Sequence, residues 1–161
     1  MIKKSVTKKA VPKKSLKKSA VSSSNKPTIE DPSLQILQTS KCRTISDKSE
    51  LTTNIAVDDK GTIQVRINNN TGGGYWSREW VSFDQILSTL SDVPEDKPIT
   101  SIHLFKLFEG KSSNSPGFLL AFLLNERLVE PFQGKKRQYA LTKTGVEKFQ
   151  AKIDKLKSSK S

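Results

Sequence analysis

Residues 117–127 read GFLLAFLLNER, and the seven consecutive apolar side chains from Phe118 to Leu124 wrap every side of about two helical turns. A helix without a polar face is buried on most sides. The run is far shorter than the roughly 20 apolar residues that cross a bilayer, so protein has to cover it. Two covers are open: an apolar sheet face elsewhere in the chain, or a second copy of the chain across an interface.

A sheet face is predicted upstream. Ile55 and Val57 alternate with polar residues, Asp58-Asp59-Lys60-Gly61 supplies a turn, and Ile63, Val65 and Ile67 alternate with Gln64, Arg66 and Asn68. Period two with a turn between is a β-hairpin with one apolar face. Residues 68–74 make a second turn, leading to a third strand over 75–81 and so to a small antiparallel β-meander. Gly72-Gly73-Gly74 lacks the Gly-Lys-Ser/Thr of a phosphate loop and the third glycine of a dinucleotide loop, so it is read as a strand connection without a cofactor.

Ser82, with Gln85 three residues on, has the spacing of a capping box and opens a helix whose apolar face is Phe83, Ile86, Leu87 and Leu90. A second short helix covers 99–109, a turn covers 110–116, and the apolar helix follows. Leu128-Val129 starts a strand, Gly134-Lys135-Lys136-Arg137 makes a basic turn, and 138–141 returns as a strand. A last helix starts near Thr144. Over 29–52 the pattern is irregular, with Asp31-Pro32 placed to cap a short helix reaching Leu37.

Charge is concentrated at the two ends of the chain. Residues 1–26 hold nine lysines and no acid; residues 27–134 hold ten basic and fourteen acidic side chains; residues 135–161 hold nine basic ones against Glu147 and Asp154. Pairs Lys3-Lys4, Lys8-Lys9, Lys13-Lys14 and Lys17-Lys18 recur with Ser, Thr, Ala, Val and Pro between them. Such a segment lacks the apolar surface that offsets the ~1–2 kcal/mol per residue of backbone ordering, so disordered basic tails are expected over 1–28 and 154–161. It has no apolar core for a secretory signal and no aromatic face for a membrane helix. Each lysine can displace a counterion from a phosphate, which makes the arm a sequence-blind nucleic-acid clamp. The spacing resembles the lysine-rich tails of linker histones and bacterial histone-like proteins.

Helix, helix, turn, helix, strand, basic loop, strand, helix is the order of a winged-helix domain. Residues 123–149, LLNERLVEPFQGKKRQYALTKTGVEKF, resemble the hallmark of winged-helix transcription regulators, with Tyr139, Leu141, Thr142 and Gly145 matching its Tyr-x-Leu-Thr-x-x-Gly segment. The resemblance covers about 79–153. Many of those regulators carry glycine where this chain has Arg127. It implies an α+β fold, a winged helix-turn-helix domain preceded by the meander, over 53–153. It further implies that Lys135, Lys136 and Arg137 reach phosphates or the minor groove from the wing tip. Recognition-helix contacts to bases would fall to Ser112, Ser113, Asn114 and Ser115, since the helix itself is apolar. A twofold homodimer would cover the apolar helix and set two wings along one duplex, and is the preferred expectation.

The function expected is therefore duplex DNA binding without catalysis, of regulatory or nucleoid-associated type, in the cytoplasm or, in a eukaryote, the nucleus. One alternative is single-stranded DNA or RNA binding on a stacking face of Arg66, Tyr75, Trp76, Arg78 and Trp80. Another is a protein-interaction adaptor using the apolar helix. Cys42 and His103 occur once each, so there is no disulfide, no zinc-ligand spacing and little from which to assemble a nucleophile and base.

Overall fold

Pairing starts where the alternation is strongest. The computed structural model describes residues 31–160, and in it strands β1 (Leu34–Arg43), β2 (Glu50–Asp58), β3 (Ile63–Asn70) and β4 (Val81–Ser82) form one antiparallel sheet in that order. The β2–β3 hairpin closes as its sequence requires: Asp58 Oδ1 accepts from the amides of Lys60 and Thr62 at 3.0 and 2.8 Å, and Gly61 takes φ +83°. Leu51, Ile55, Ile63, Val65 and Ile67 are buried and join the core that the helices complete.

Two stretches of the sheet depart from expectation. Residues 34–43 are a strand, not a short helix or an irregular lead-in. Asp31 does cap, but it caps a turn, with its Oδ1 accepting the Ser33 amide at 3.0 Å and its carbonyl the Leu34 amide at 3.0 Å. Pairing with β2 then outweighs local preference, and the β1–β2 register slips between Ile36 and Gln38, which leaves both Leu37 and Cys42 buried. The strand expected over 75–81 shrinks to Val81 and Ser82, opposite Val65 and Gln64. Residues 75–80 instead form a connector held by side chains from elsewhere.

Helix α1 (Phe83–Ser91) buries Phe83, Ile86 and Leu90. Ser82 stands at its N-cap without a side-chain hydrogen bond, so the capping box expected there is not made. The device occurs one element later, where His103 Nδ1 accepts the Thr100 amide at 3.1 Å and fixes the start of a 3-10 helix, Ser101–Phe108. Helix α2 (Ser115–Asn125) follows, then β5 (Val129–Pro131), a 3-10 turn (Phe132–Gly134), β6 (Tyr139–Leu141) and α3 (Lys143–Ser158). Helix α3 continues through residues expected to be tail, and its end is tied back by Lys157 Nζ to the Gly61 carbonyl at 3.1 Å and Lys160 Nζ to the Ile36 carbonyl at 2.5 Å. No helix among the described residues is long and apolar enough to cross a membrane.

The apolar helix finds its cover within the chain. Helix α2 packs on the 3-10 helix, β1, β3 and β5 together, and Leu119, Leu120, Phe122 and Leu123 are at most 1% exposed. Phe149 of α3 joins them, edge-on to Phe122 at 6.3 Å and tilted against Phe83 at 4.6 Å. With the meander in that place, the apolar run no longer calls for a second copy.

Candidate nucleic-acid interface

The basic hairpin is built from three chain segments. β5 and β6 pair Val129 with Leu141, Glu130 with Ala140 and Pro131 with Tyr139. On the far side of β6, Ile99 and Tyr139 exchange two backbone bonds, Ile99 N–H to Tyr139 O at 2.7 Å and Tyr139 N–H to Ile99 O at 2.9 Å. Tyr139 is thus paired on both sides and 5% exposed. Burial raises its phenol above the usual range, against the opposing pull of the positive Arg137.

At the tip the backbone turns tightly, with Gln133 at φ +50°, Gly134 at +71° and Arg137 at +60°. Phe132 N–H bonds to Gln138 O at 2.8 Å, and Lys135 N–H to Phe132 O at 2.9 Å. Lys135, Lys136 and Arg137 are all exposed. Five cations elsewhere are neutralised: ion pairs among the described residues join Lys41 to Glu50, Arg43 to Asp47, Lys106 to Asp92, Lys111 to Glu79 and Lys152 to Glu126. None involves the tip, where three positive charges stand together facing water.

The root of the hairpin is set by α2 and α3. Leu128 N–H reaches Leu123 O at 2.9 Å and Arg127 N–H reaches Leu124 O at 3.1 Å, with Arg127 at φ +59°. This is the left-handed helix terminus that favours glycine. The Arg127 carbonyl then accepts the Thr142 hydroxyl at 2.7 Å. A Cβ on Gly145 would lie 2.0 Å from that oxygen and 2.2 Å from Thr142 Oγ1. The threonine and glycine of the matched segment are thus both explained by one carbonyl.

The polar residues before α2 are turned inward. Ser112 Oγ and Asn114 Nδ2 donate to the Tyr75 carbonyl at 3.1 and 2.8 Å, and Ser115 Oγ, fully buried, accepts the Ser77 amide at 2.8 Å. Three of the four expected base-reading residues therefore hold the 75–80 connector in place of the missing strand ladder. Ser113 makes no such bond to the connector and lies exposed in the turn.

Nor do the aromatic residues form one stacking face. Arg66 alternates with Val65 and Ile67, so it lies on the sheet face away from the helices, where its guanidinium covers Trp80 at 4.4 Å and is 5% exposed. With the Asn54 amide oriented to satisfy both its ends, its oxygen accepts from Arg66 Nη2 at 3.3 Å. Trp76 packs against the core, donates its indole N–H to the Ile67 carbonyl at 3.3 Å, and is covered by Arg78 at 5.2 Å. Tyr75 alone of the five is widely exposed, at 72%. The arm lysines Lys3, Lys4, Lys8, Lys9, Lys13, Lys14, Lys17 and Lys18 lie outside the described residues.

One feature was not visible in the sequence. A groove of about 230 Å³ runs between the β1–β2 turn, the start of α2 and the basic hairpin, lined by Thr44, Ile45, Ser46, Ser101, Gly117, Phe118, Leu120 and Arg137. Its nearest sequence signal is Pro116-Gly117 opening an apolar helix. No family model, curated protein or solved structure matches the chain.

Proposed function

We propose that the protein binds duplex DNA without catalysis, as a winged-helix protein of regulatory or nucleoid-associated type whose basic wing and lysine arm hold phosphates. The observation that carries this reading is the exposed, uncompensated triplet Lys135, Lys136 and Arg137 on a hairpin braced by Ile99. The element order α1, the Ile99 bridge, 3-10 helix, α2, β5, β6 supports the winged-helix assignment. Helix α2 contributes little direct reading of bases, because its sides are buried and its leading hydroxyl and amide groups are used internally. Binding is accordingly electrostatic and indifferent to sequence. The single-strand alternative lacks a continuous platform of exposed aromatic rings.

The test is a salt series of mobility shifts on unrelated duplexes, with the full chain and the triple variant Lys135→Ala, Lys136→Ala, Arg137→Ala. Each lost phosphate contact flattens the slope of log affinity against log salt by about 0.9, so the variant should lose roughly 2 to 3 units. Its melting temperature should stay within a degree or so of the parent, since exposed charges contribute little to stability. Equal affinity and slope for parent and variant would reject the wing as a contact.

A further inference from the structure

We propose that the groove between the β1–β2 turn, the start of α2 and the basic hairpin docks an acidic peptide segment of a partner protein, anchored by one apolar side chain. Ile45, Phe118 and Leu120 give it an apolar floor, Thr44, Ser46 and Ser101 give hydroxyls, and Arg137 stands at its lip. No carboxylate lines it, and Arg137 directly follows the exposed Lys135 and Lys136 in the chain. At about 230 Å³ it is smaller than the ~300–1,000 Å³ of pockets for drug-sized ligands, and suits a side-chain anchor.

Gly117 is an independent sign of an occupant. A Cβ there would meet nothing within 4 Å, in contrast to Gly145, where it would strike backbone. Glycine within a helix costs up to about 1 kcal/mol relative to alanine, and no contact inside the chain requires it at 117. What its absence of side chain does provide is a bare stretch of α2 backbone on the groove floor, open to close approach from outside.

The apolar surface also continues past the groove. Ile102 and Phe105 are 72% and 44% exposed, and three residues apart on a 3-10 helix they share a face. Ser101 lines the groove at one end of that helix, while Phe105 and Phe108 line a second depression with Gly110 and Lys111 at the other. An extended or helical segment seated along this strip places acids against Arg137 and apolar residues towards Ile102 and Phe105, since Lys111 is already paired with Glu79 and Glu109 lines the far depression. Because Arg137 serves both partners, the segment and a duplex compete; that clause alone rests on the nucleic-acid reading.

The experiment is fluorescence anisotropy with the full chain and a labelled peptide of about a dozen residues, alternating Glu with Leu around a central Phe. Two controls replace every Glu with Lys, or every Leu and Phe with Ala. Saturable binding of the first peptide alone is expected, weakened roughly tenfold or more by Gly117→Leu and by Arg137→Glu. Gly117→Leu fills open space with a better helix former, so its melting temperature should equal or exceed the parent's. Gly117→Ala, a smaller intrusion, should show the same stability with a lesser loss. Failure of the acidic peptide to saturate, equal binding of the lysine peptide, or unchanged affinity in Gly117→Leu would each overturn the proposal. Loss of duplex binding in Gly117→Leu without any peptide binding would also overturn it, assigning the groove to nucleic acid. Loss of duplex binding by the wing variant bears only on the proposed function.

Discussion

Gly145→Ala tests the junction of α2, the basic hairpin and α3 most directly. Gly145 is buried in the first turn of α3, and an added Cβ would stand 2.0 Å from the Arg127 carbonyl oxygen and 3.0 Å from its carbon. Neither atom is the end of a flexible side chain, so the α2–β5 corner or the start of α3 must move. Overpacking of this kind costs about 1–3 kcal/mol, and displacing the Thr142–Arg127 bond adds about 1 kcal/mol. Alanine's higher helix propensity returns at most about 1 kcal/mol. The net is a destabilisation of roughly 1–3 kcal/mol, which for a domain of this size lowers the melting temperature by about 4–12 °C. Thermal unfolding followed by circular dichroism reads it. A Gly145→Ala protein melting within a degree of its parent would refute the close approach, and with it the physical account of the Tyr-x-Leu-Thr-x-x-Gly segment.

Arg127→Gly should do the reverse, stabilising by about 0.5–1 kcal/mol because residue 127 sits at φ +59°; a lower midpoint in urea would contradict the left-handed terminus. Ser115→Ala removes the acceptor for the buried Ser77 amide and should cost about 1–3 kcal/mol, checked by the same urea titration; a neutral effect would mean the connector is held otherwise. Burial, reinforced by Glu126 and Glu50, pushes the Cys42 thiol up to about 11 from its ordinary 9.0. Between those values the unfolded chain holds fewer protons than the folded one, so stability should fall as pH rises from 9 to 11. That decline should be smaller in Cys42→Ala, where the raised Tyr139 phenol still contributes at the upper end of the window, and its persistence there at full size would assign it to another group.

What could be read from sequence was what local chemistry dictates. The β2–β3 hairpin announces itself because Ile63, Val65 and Ile67 keep strict alternation and Asp58 and Gly61 form the turn unaided. The basic hairpin is legible for a similar reason: Tyr139 must be buried while the charged tip cannot be. β1 was missed because the slip between Ile36 and Gln38 breaks its alternation, putting Leu37 and Cys42 on the core side out of phase. Residues 75–80 look like a strand in sequence because their partners, Ser112, Asn114 and Ser115, lie some 35 to 40 residues away. Those same bonds engage three of the four expected base-reading residues, Ser112, Asn114 and Ser115, inside the chain. Small polar side chains beside a helix start look alike whether they face a groove or a neighbouring backbone. The groove has no sequence signature because one wall, Thr44 to Ser46, comes from a segment with no readable pattern.

The covering of α2 by the meander has a consequence for how the chain is made. The ribosome delivers β1, β2 and β3 first, and β3 ends at Asn70, well before α2 opens at Ser115 to fill their apolar side. Until α2 emerges, only α1 lies against the sheet and its apolar face is incompletely covered, while α2 in turn has no polar side on which to wait in water. Closing so long an interval before any packing is gained slows folding and leaves greasy intermediates open to mispairing. Neither half is therefore a module that can be excised: a fragment begun at residue 79 leaves α2 bare along the side that β1 and β3 occupy.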